Sequence, residues 1–345
     1  MTTPTIPQGN KYMDATLYTG TGANLAITNT GGFQPDFVWM KRRDGADSHA
    51  LYDSVRGVSL SLFSNATNAE ANEPTTLTAF NSNGWSIGSE IRTNGSGRTY
   101  VGWQWKAGGT AVSNTSGTIT SSVSANTTSG FSVVIYTGTG ANATVGHGLG
   151  VAPSMMIVKC RSNDDWWPVY HSSLGGTKNL RLDDTTAVET ISNIWNNTAP
   201  TSSVFSIGTS TETGASARTY VAYCWTPIAG YSAFGSYTGN GSADGPFVYL
   251  GFRPKFLMVR RTDSTGMWIM IDTSRDPYNL AIYKLAANSS AVENDATIGL
   301  AANNTYDLLS NGFKARTSDG YTNASAGTYI YMAFAENSFK YSNAR

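Results

Sequence analysis

The amino-acid sequence predicts an all-β fold made of three tandem antiparallel β-sandwich modules of the jelly-roll or lectin-like type. Three observations lead to this prediction. The same sequence markers recur three times in one order. Short β-branched and aromatic runs alternate with turns rich in Gly, Asn and Ser. A sustained helical period is absent from the sequence, and only residues 283–292 could hold one or two helical turns.

Three markers define the copies. The first is an aromatic-Thr-Gly turn, which begins at Tyr18, Tyr136 and Tyr237. The second is a proline followed by an apolar strand that ends in basic residues, and it begins at Pro35, Pro153 and Pro254. The third is an aromatic closing strand, at residues 98–105, 218–225 and 327–334. The interval between the first two markers is the same in every copy, so we infer duplication without a net insertion between them.

The markers also predict individual strands. The post-proline strand is almost continuously apolar, which is typical of a strand covered on both faces. The closing strand alternates between its two faces. Shorter strands are predicted at residues 49–52, 167–170 and 268–271, and at residues 84–88, 204–208 and 312–315. The turn pairs Asn83-Gly84 and Asn311-Gly312 precede two of these strands.

The repeats set the predicted domain boundaries. We place copy one at residues 1–106, copy two at residues 131–227 and copy three at residues 228–345. Residues 107–130 contain Gly, Ser, Thr and Asn but no aromatic residue, which predicts a flexible or extended linker. The join between copies two and three is shorter and contains Tyr231 and Phe234. We therefore expect copies two and three to pack more closely on each other than on copy one.

Charge and hydropathy exclude several classes of function. Charged residues make up 13% of the chain, and 23 Lys and Arg balance 23 Asp and Glu. This balance gives no electrostatic reason to expect a nucleic-acid partner, and it argues against a polybasic membrane-surface protein. No apolar stretch approaches the roughly 18 residues that cross a bilayer, and the N-terminus has no signal-peptide pattern. Cys160 and Cys224 are expected to be buried free thiols rather than a disulfide or a metal pair.

An Asp and an Arg three residues apart form the sharpest catalytic or anion-binding candidate. Asp53 with Arg56 in copy one matches Asp272 with Arg275 in copy three. Such a pair could bind an anion or orient a nucleophile. Alternatively, the Asp caps backbone N–H groups in a turn and the Arg pairs with it. Copy two has His171 and Leu174 at these positions, so the pair is not shared by all copies.

Metal and catalytic motifs are weak. The histidines His49, His147 and His171 have no short metal-like spacing, and the cysteines lie on different predicted strands. The acidic loops at residues 163–165 and 183–184 could bind calcium or could be solvated turns. No copy shows two acids at corresponding positions, and no nucleophile elbow, P-loop or dinucleotide motif has a supporting context. We expect no enzyme activity, no metal and no cofactor.

The tryptophans and one tyrosine allow two interpretations. Trp103, Trp105 and Trp225 alternate with small or polar residues and are predicted to be core. Trp166, Trp195 and Tyr278 lie in polar, loop-like surroundings. They could stack on sugar rings, or they could pack the loops onto the sandwich.

Taken together, the markers resemble a known group of proteins. The Tyr-Thr-Gly-Thr-Gly turn, the proline-led strand ending in Lys or Arg, the Asp-x-x-Arg segment and the Arg-Thr-Tyr-Val closing strand resemble repeat-domain virion structural proteins of tailed bacteriophages of aquatic bacteria. The resemblance covers residues 14–339. It implies a protein that is made in the host cytoplasm, resides in the virion as a tail fibre, receptor-binding or capsid-associated component, and contacts other virion proteins.

Three functions follow as hypotheses. The first is a non-enzymatic virion surface protein, such as a tail fibre or receptor-binding component, that engages host-surface polysaccharide. Its candidate ligand-binding residues are Trp166, Trp195, Tyr278, Asp53, Arg56, Asp272 and Arg275. The second is a capsid decoration, cement or adaptor protein. The third is a carbohydrate-active enzyme. We expect no nucleic-acid partner and no membrane insertion, and a homotrimer is the expected assembly of a fibre component.

Overall fold

The computed structural model describes residues 8–301 and 306–336, and this part of the chain is almost entirely β. Its strands form antiparallel pairs in several sheets, so the predicted all-β class is confirmed. Helices within the described residues are short: α1 (Ile91–Asn94), α2 (Gly320–Asn323), and two 3-10 turns at Gly9–Lys11 and Ala296–Ile298. Residues 283–292, which could have held a helical turn, instead contain a short strand.

Copy one contains nine strands in two sheets: β1 (Met13–Thr19), β2 (Leu25–Thr28), β3 (Phe37–Arg42), β4 (Ala50–Asp53), β5 (Gly57–Leu62), β6 (Ala71–Asn72), β7 (Leu77–Asn81), β8 (Gly84–Ile87) and β9 (Thr99–Trp105). Its large sheet has the order β1-β9-β3-β4-β5-β6. Its small sheet has the order β2-β8-β7. The first strand therefore lies beside the closing strand, and the closing strand lies beside the post-proline strand.

Copy two and the segment before it contain β10 (Val112–Asn114), β11 (Ser121–Asn126), β12 (Phe131–Thr137), β13 (Ala143–Gly146), β14 (Met155–Cys160), β15 (Pro168–His171), β16 (Lys178–Arg181), β17 (Glu189–Thr190), β18 (Val204–Ile207) and β19 (Thr219–Trp225). The large sheet has the order β10-β11-β12-β19-β14-β15-β16-β17. The small sheet pairs β13 with β18. The central order, first strand to closing strand to post-proline strand, is that of copy one.

Copy three contains β20 (Ser232–Thr238), β21 (Phe247–Tyr249), β22 (Pro254–Arg261), β23 (Ile269–Asp272), β24 (Leu285–Ala286), β25 (Tyr306–Leu309), β26 (Gly312–Ala315) and β27 (Thr328–Ala335). Its large sheet has the order β20-β27-β22-β23-β24. Its small sheet has the order β21-β26-β25. The same central strand order thus recurs in all three large sheets.

The strand register is also the same in each copy. The marker tyrosine of the first strand lies opposite the tyrosine of the closing strand, in the pairs Tyr18–Tyr100, Tyr136–Tyr220 and Tyr237–Tyr329. Their rings stack with centroids 5.0, 5.1 and 4.9 Å apart. Such cross-strand aromatic pairs favour one register over its neighbours.

The post-proline strand is buried on both faces, as predicted, because it lies between two different cores. In β3, Val38 and Met40 face the small sheet and help to form a core within copy one. Phe37 and Trp39 face the opposite way, into a larger core that contains residues of all three copies. The corresponding strands β14 and β22 divide their side chains in the same way. Each copy is therefore a sandwich whose large sheet also covers a shared centre.

Aromatic residues of different copies meet in this central core. The ring of Trp105 lies 6.1 Å from that of Trp225 and 5.8 Å from that of Phe334. These three residues occupy corresponding positions at the ends of their closing strands. The expectation that copies two and three pack more closely on each other is therefore wrong. The inward face of every large sheet is apolar and must be buried against another sheet, whatever the length of the chain segment between two copies.

One set of corresponding backbone hydrogen bonds joins the copies in a cyclic order. One backbone N–H of each copy donates to the residue that follows the post-proline strand of another copy, as Glu70 to Arg161, Val188 to Thr262, and Glu293 to Arg43. Copy one therefore bonds to copy two, copy two to copy three, and copy three to copy one. The three copies close into a ring with approximate threefold symmetry, which we call the three-copy ring.

The segment predicted as a linker differs from expectation. Within residues 107–130, β10 and β11 extend the large sheet of copy two, and β11 pairs with β12 over residues 122–126. Ser121 and Val123 are buried there. Ser, Thr and Val fit the half-buried surface of a strand when a partner strand is present, so a polar composition did not exclude pairing.

Candidate functional site

The two Asp–Arg pairs lie at corresponding strand ends, and both are internal. The guanidinium of Arg56 pairs with the carboxylate of Asp53, and both side chains are fully buried. In copy three, Arg275 Nε lies 2.6 Å from Asp272 Oδ2, and both side chains are again fully buried. In each pair the Asp also accepts the backbone N–H of its Arg, as in a turn. The predicted ligand-binding role of these four residues is wrong, because no ligand can reach them.

A donor from another copy completes each pair. Tyr223 Oη of copy two donates to Asp53 Oδ2 at 2.8 Å, and Trp103 Nε1 of copy one donates to Asp272 Oδ2 at 2.9 Å. Burial raises the pKa of Asp272, but the charge of Arg275 and the Trp103 bond outweigh it, so that the pKa lies below its ordinary range. The carboxylate is therefore ionised, and it joins two copies.

The loss of the pair in copy two follows from the same geometry. The closing-strand residue that corresponds to Trp103 and Tyr223 is Met332, which has no donor. The neighbouring strand end carries His171, whose Nε2 lies 3.2 Å from the carbonyl oxygen of Tyr331. A buried carboxylate without donors would be costly there, so the sequence uses His171 and the apolar Leu174 instead.

The aromatic candidates have different environments. Trp195 is fully buried and packs beside Tyr170, with ring centroids 6.0 Å apart, so its predicted role in surface stacking is wrong. Trp166 is 41% exposed, and the guanidinium carbon of Arg181 lies 5.2 Å from its ring centroid. Tyr278 is 82% exposed. Of the three, Trp166 and Tyr278 remain available to a ligand.

The remaining polar candidates take part in internal bonds. His49 lies between Trp39 Nε1, at 2.8 Å from Nδ1, and the carbonyl oxygen of Ala286, at 3.0 Å from Nε2. Asp164 accepts the backbone N–H of Ala69, and both cysteines are buried free thiols. Among the described residues, no cluster of three or more His, Cys, Asp and Glu side chains could hold a metal ion. No helix in the same part of the chain is long and apolar enough to cross a membrane.

Tyr278 borders a cleft in copy three, with a volume of about 550 Å³. Two segments form its walls, the chain after β23 and the turn between β25 and β26. The lining residues are Arg253, Pro277, Tyr278, Asn279, Leu308, Leu309, Ser310 and Asn311. The size is typical of small-molecule sites in proteins. We call this feature the copy-three cleft.

Hydrogen bonds fix two walls of the copy-three cleft. Asn279 Oδ1 accepts the backbone N–H of Leu308 at 2.8 Å, so its amide covers the edge strand β25. Arg253 Nη1 donates to Glu336 at 2.5 Å, and Nη2 donates to the carbonyl oxygen of Pro277 at 3.0 Å. The Arg253 side chain thereby ties the post-strand loop to the end of the closing strand. The cleft therefore has backbone walls fixed by hydrogen bonds, and the exposed phenol ring of Tyr278 lies at its border.

Sequence reasoning identified Tyr278 but missed Arg253 and the polar turn at Ser310 and Asn311. A signal was present, because Arg253 replaces Gln34 of copy one and Ala152 of copy two directly before the marker proline. The turn pair Asn311-Gly312 was recognised as a hairpin signal only. Their proximity depends on packing between distant segments, which the sequence pattern does not report.

Comparison with known proteins yields one family. No curated protein matches this chain. The sequence profile of a family described as "Domain of unknown function (DUF7483)" matches residues 8–338, which include all three copies. Since the match covers nearly the whole chain, the protein belongs to the DUF7483 family.

Proposed function

We propose that this protein is a non-enzymatic virion surface protein of a tailed bacteriophage, acting as a tail fibre or receptor-binding component that binds host-surface glycan through the copy-three cleft. The single observation that carries the proposal is the exposed Tyr278 ring beside a cleft lined by both polar and apolar residues. An aromatic face with nearby amide and hydroxyl groups is suited to a sugar, which has both an apolar ring face and hydroxyls.

The distribution of polar chemistry supports binding over catalysis. The Asp–Arg pairs, which are the strongest catalytic candidates in the sequence, are buried ion pairs within one copy, and each also accepts a hydrogen bond from another copy. The shared residues of the repeats thus serve the framework. The cleft, in contrast, includes residues that differ between copies, such as Arg253 and Tyr278, beside the Ser310-Asn311 turn that recurs in copy one as Ser82-Asn83. The virion assignment rests on the resemblance of the repeat markers to phage structural proteins and on the neutral, weakly charged composition.

Binding to host envelope tests the proposal. Labelled full-length protein is incubated with host cells, alongside the variants Tyr278→Ala and Tyr283→Ala. We expect the native protein and Tyr283→Ala to bind, and Tyr278→Ala to bind much less. Both variants remove an exposed tyrosine ring, and Tyr283 does not line the cleft, so Tyr283→Ala is the matched control. Absence of binding by the native protein, or immunogold imaging that finds no label on the phage tail, would contradict the receptor-binding role.

The three-copy ring favours a second function, capsid decoration or an adaptor role. A single chain with approximate threefold symmetry could occupy a threefold or quasi-threefold position that otherwise needs three subunits. Quantitative mass spectrometry of purified virions separates the two functions. Tail components are present in few copies, whereas a decoration protein is present in many. A high copy number with label over the capsid would replace the receptor-binding proposal by this one.

A further inference from the structure

We propose that the ligand of the copy-three cleft is a neutral hexose-containing glycan rather than an acidic one, and that each chain holds one such ligand. The inference rests on the proposed glycan-binding function and adds the chemical class and stoichiometry. Three features of the described residues support it: the charge of the lining residues, the polar groups that remain available, and the difference between copies.

The cleft offers no unpaired cation to an acidic sugar. Arg253 is the charged residue among its described lining residues. All three of its donor nitrogens are engaged, Nη1 with the Glu336 carboxylate, Nη2 with Pro277 O, and Nε with Leu308 O at 3.3 Å. An entering carboxylate would meet a guanidinium already neutralised by Glu336, and it would lose its own hydration without a paired charge. Acidic sugars are therefore disfavoured.

The available groups suit uncharged hydroxyls. The side chains of Ser310 and Asn311 are partly buried and make no hydrogen bond to other described residues, so each can serve as donor or acceptor. Asn279 is different, because both of its amide atoms are bonded to the backbone of Leu308. The Tyr278 ring is the apolar element of the site, and a pyranose ring presents C–H groups that can cover it.

The site belongs to one copy of the three. Gln34 and Ala152 replace Arg253 in copies one and two, so neither can tie the post-strand loop to the closing strand through a guanidinium. Copies one and two also lack an exposed tyrosine that corresponds to Tyr278 among the large exposed apolar residues of the described chain. We therefore expect one ligand per chain, despite the threefold repeat.

The test uses the purified full-length protein and a panel of immobilised polysaccharides. Dextran, mannan and galactan represent neutral glycans, and alginate and polysialic acid represent acidic ones. Binding is measured by biolayer interferometry at low and high salt, and stoichiometry by calorimetry with an oligosaccharide of the glycan that binds. The variants are Tyr278→Ala, Tyr278→Phe and the control Tyr283→Ala, whose ring is exposed but does not line the cleft. Circular dichroism and thermal melts establish that each variant is folded.

We expect a neutral polysaccharide to bind one site per chain with little change at high salt, because no charge pair is involved. Tyr278→Ala should weaken binding on the order of tenfold, whereas Tyr278→Phe and Tyr283→Ala should bind like the native protein. Binding of acidic polysaccharides alone, with affinity that falls as salt rises, overturns the neutral-ligand inference but leaves glycan binding intact. Neutral binding that Tyr278→Ala does not weaken overturns the cleft assignment. Failure to bind any glycan or host envelope overturns both proposals.

Discussion

At the residue scale, each buried carboxylate between copies is held by an arginine from its own copy and a donor from another. Asp53 accepts from Arg56 and Tyr223, and the Tyr223 bond crosses from copy two to copy one. The strength of such an arrangement depends on every partner, because an incompletely paired charge in the interior is costly. The sequence predicted the Asp-turn-Arg unit as one of two alternatives. It could not predict the third partner, which lies far away in the chain.

Removal of one hydroxyl should therefore weaken the structure measurably. Tyr223→Phe keeps the buried ring but removes the donor to the Asp53–Arg56 pair. We expect the free energy of unfolding to fall by about 1.5–3 kcal/mol, the usual range for a hydrogen bond to a charged group. Urea unfolding monitored by tryptophan fluorescence measures the change. The control Tyr249→Phe removes a hydroxyl at a residue that is 63% exposed, and it should leave stability nearly unchanged. Equal stability of the two variants would contradict the assigned role.

Buried histidines should make the protein sensitive to acid. The Nδ1 of His171 accepts the backbone N–H of Ser173, and its Nε2 faces the carbonyl oxygen of Tyr331, so the neutral ring has both partners satisfied. Burial lowers the pKa of His171 from 6.5 to about 4. The unfolded chain therefore binds this proton more readily. The stabilising contribution is complete above pH 6.5 and is lost as the pH falls toward 4.

The variant His171→Gln tests this dependence by difference. Glutamine has a donor but does not titrate, so the loss of melting temperature between pH 7 and pH 4.5 should be smaller in the variant than in the native protein. Because the slope of melting temperature against pH is compared between the variant and the native protein, the contribution of the other acids and bases cancels. Thermal melts at several pH values provide the measurement. A variant with the same slope as the native protein would show that His171 does not titrate in this range.

At the element scale, the turn before β8 depends on the absence of a side chain. Gly84 has φ +155°, and a Cβ at this residue would lie 1.9 Å from the carbonyl oxygen of Ile27 in β2. The small sheet of copy one would have to separate at β2. We expect Gly84→Ala to destabilise the protein by more than about 2 kcal/mol, because both backbone strain and a steric clash are introduced.

Gly97 supplies the matched control for that substitution. Its φ is +70°, but a Cβ there would meet no atom within 4 Å. Gly97→Ala should therefore cost only the backbone strain, about 1 kcal/mol. Chemical denaturation of both variants measures the difference. If Gly97→Ala destabilises as much as Gly84→Ala, close packing of β2 against β8 is not the cause. The Asn-Gly pair predicted this turn, but the approach of β2 was not visible in the sequence.

Residues 107–130 show where composition alone misleads. A segment of Gly, Ser, Thr and Asn is typical of a linker, yet β11 has hydrogen-bonded neighbours on both sides, β10 and β12. Backbone pairing depends on an adjacent strand, and the adjacent strand comes from the fold rather than from local sequence. Hydrogen exchange tests the assignment. Amides at residues 121–126 should exchange far more slowly than those at residues 115–118, whereas a linker would exchange rapidly throughout.

At the scale of the whole molecule, the repeats predicted the sandwiches but not their arrangement. Inward residues such as Trp105 and Trp225 were recognised as core from their alternation with polar residues. Alternation cannot distinguish a core within one copy from a core between copies, because both require an apolar face. The register of the markers was therefore predictable, and the three-copy ring was not. The cleft has the same origin, since it joins segments on different strands of copy three.

A shared core has a consequence for unfolding. Independent sandwich modules on a flexible linker would melt separately, each with its own transition. In the three-copy ring, the large sheets of all copies cover one cluster of buried residues, so removal of one copy would expose the inward faces of the other two. We therefore expect a single cooperative transition in scanning calorimetry, with the calorimetric enthalpy equal to the van't Hoff enthalpy.

Two substitutions test this cooperativity. Trp105→Ala in the central core and Trp85→Ala in the core within copy one should each lower the temperature of that single transition, because both residues are large and fully or almost fully buried. Two or three resolved transitions, or a Trp85→Ala variant in which only part of the heat absorption shifts, would mean that the copies fold as separate units and that the central contacts add little to stability.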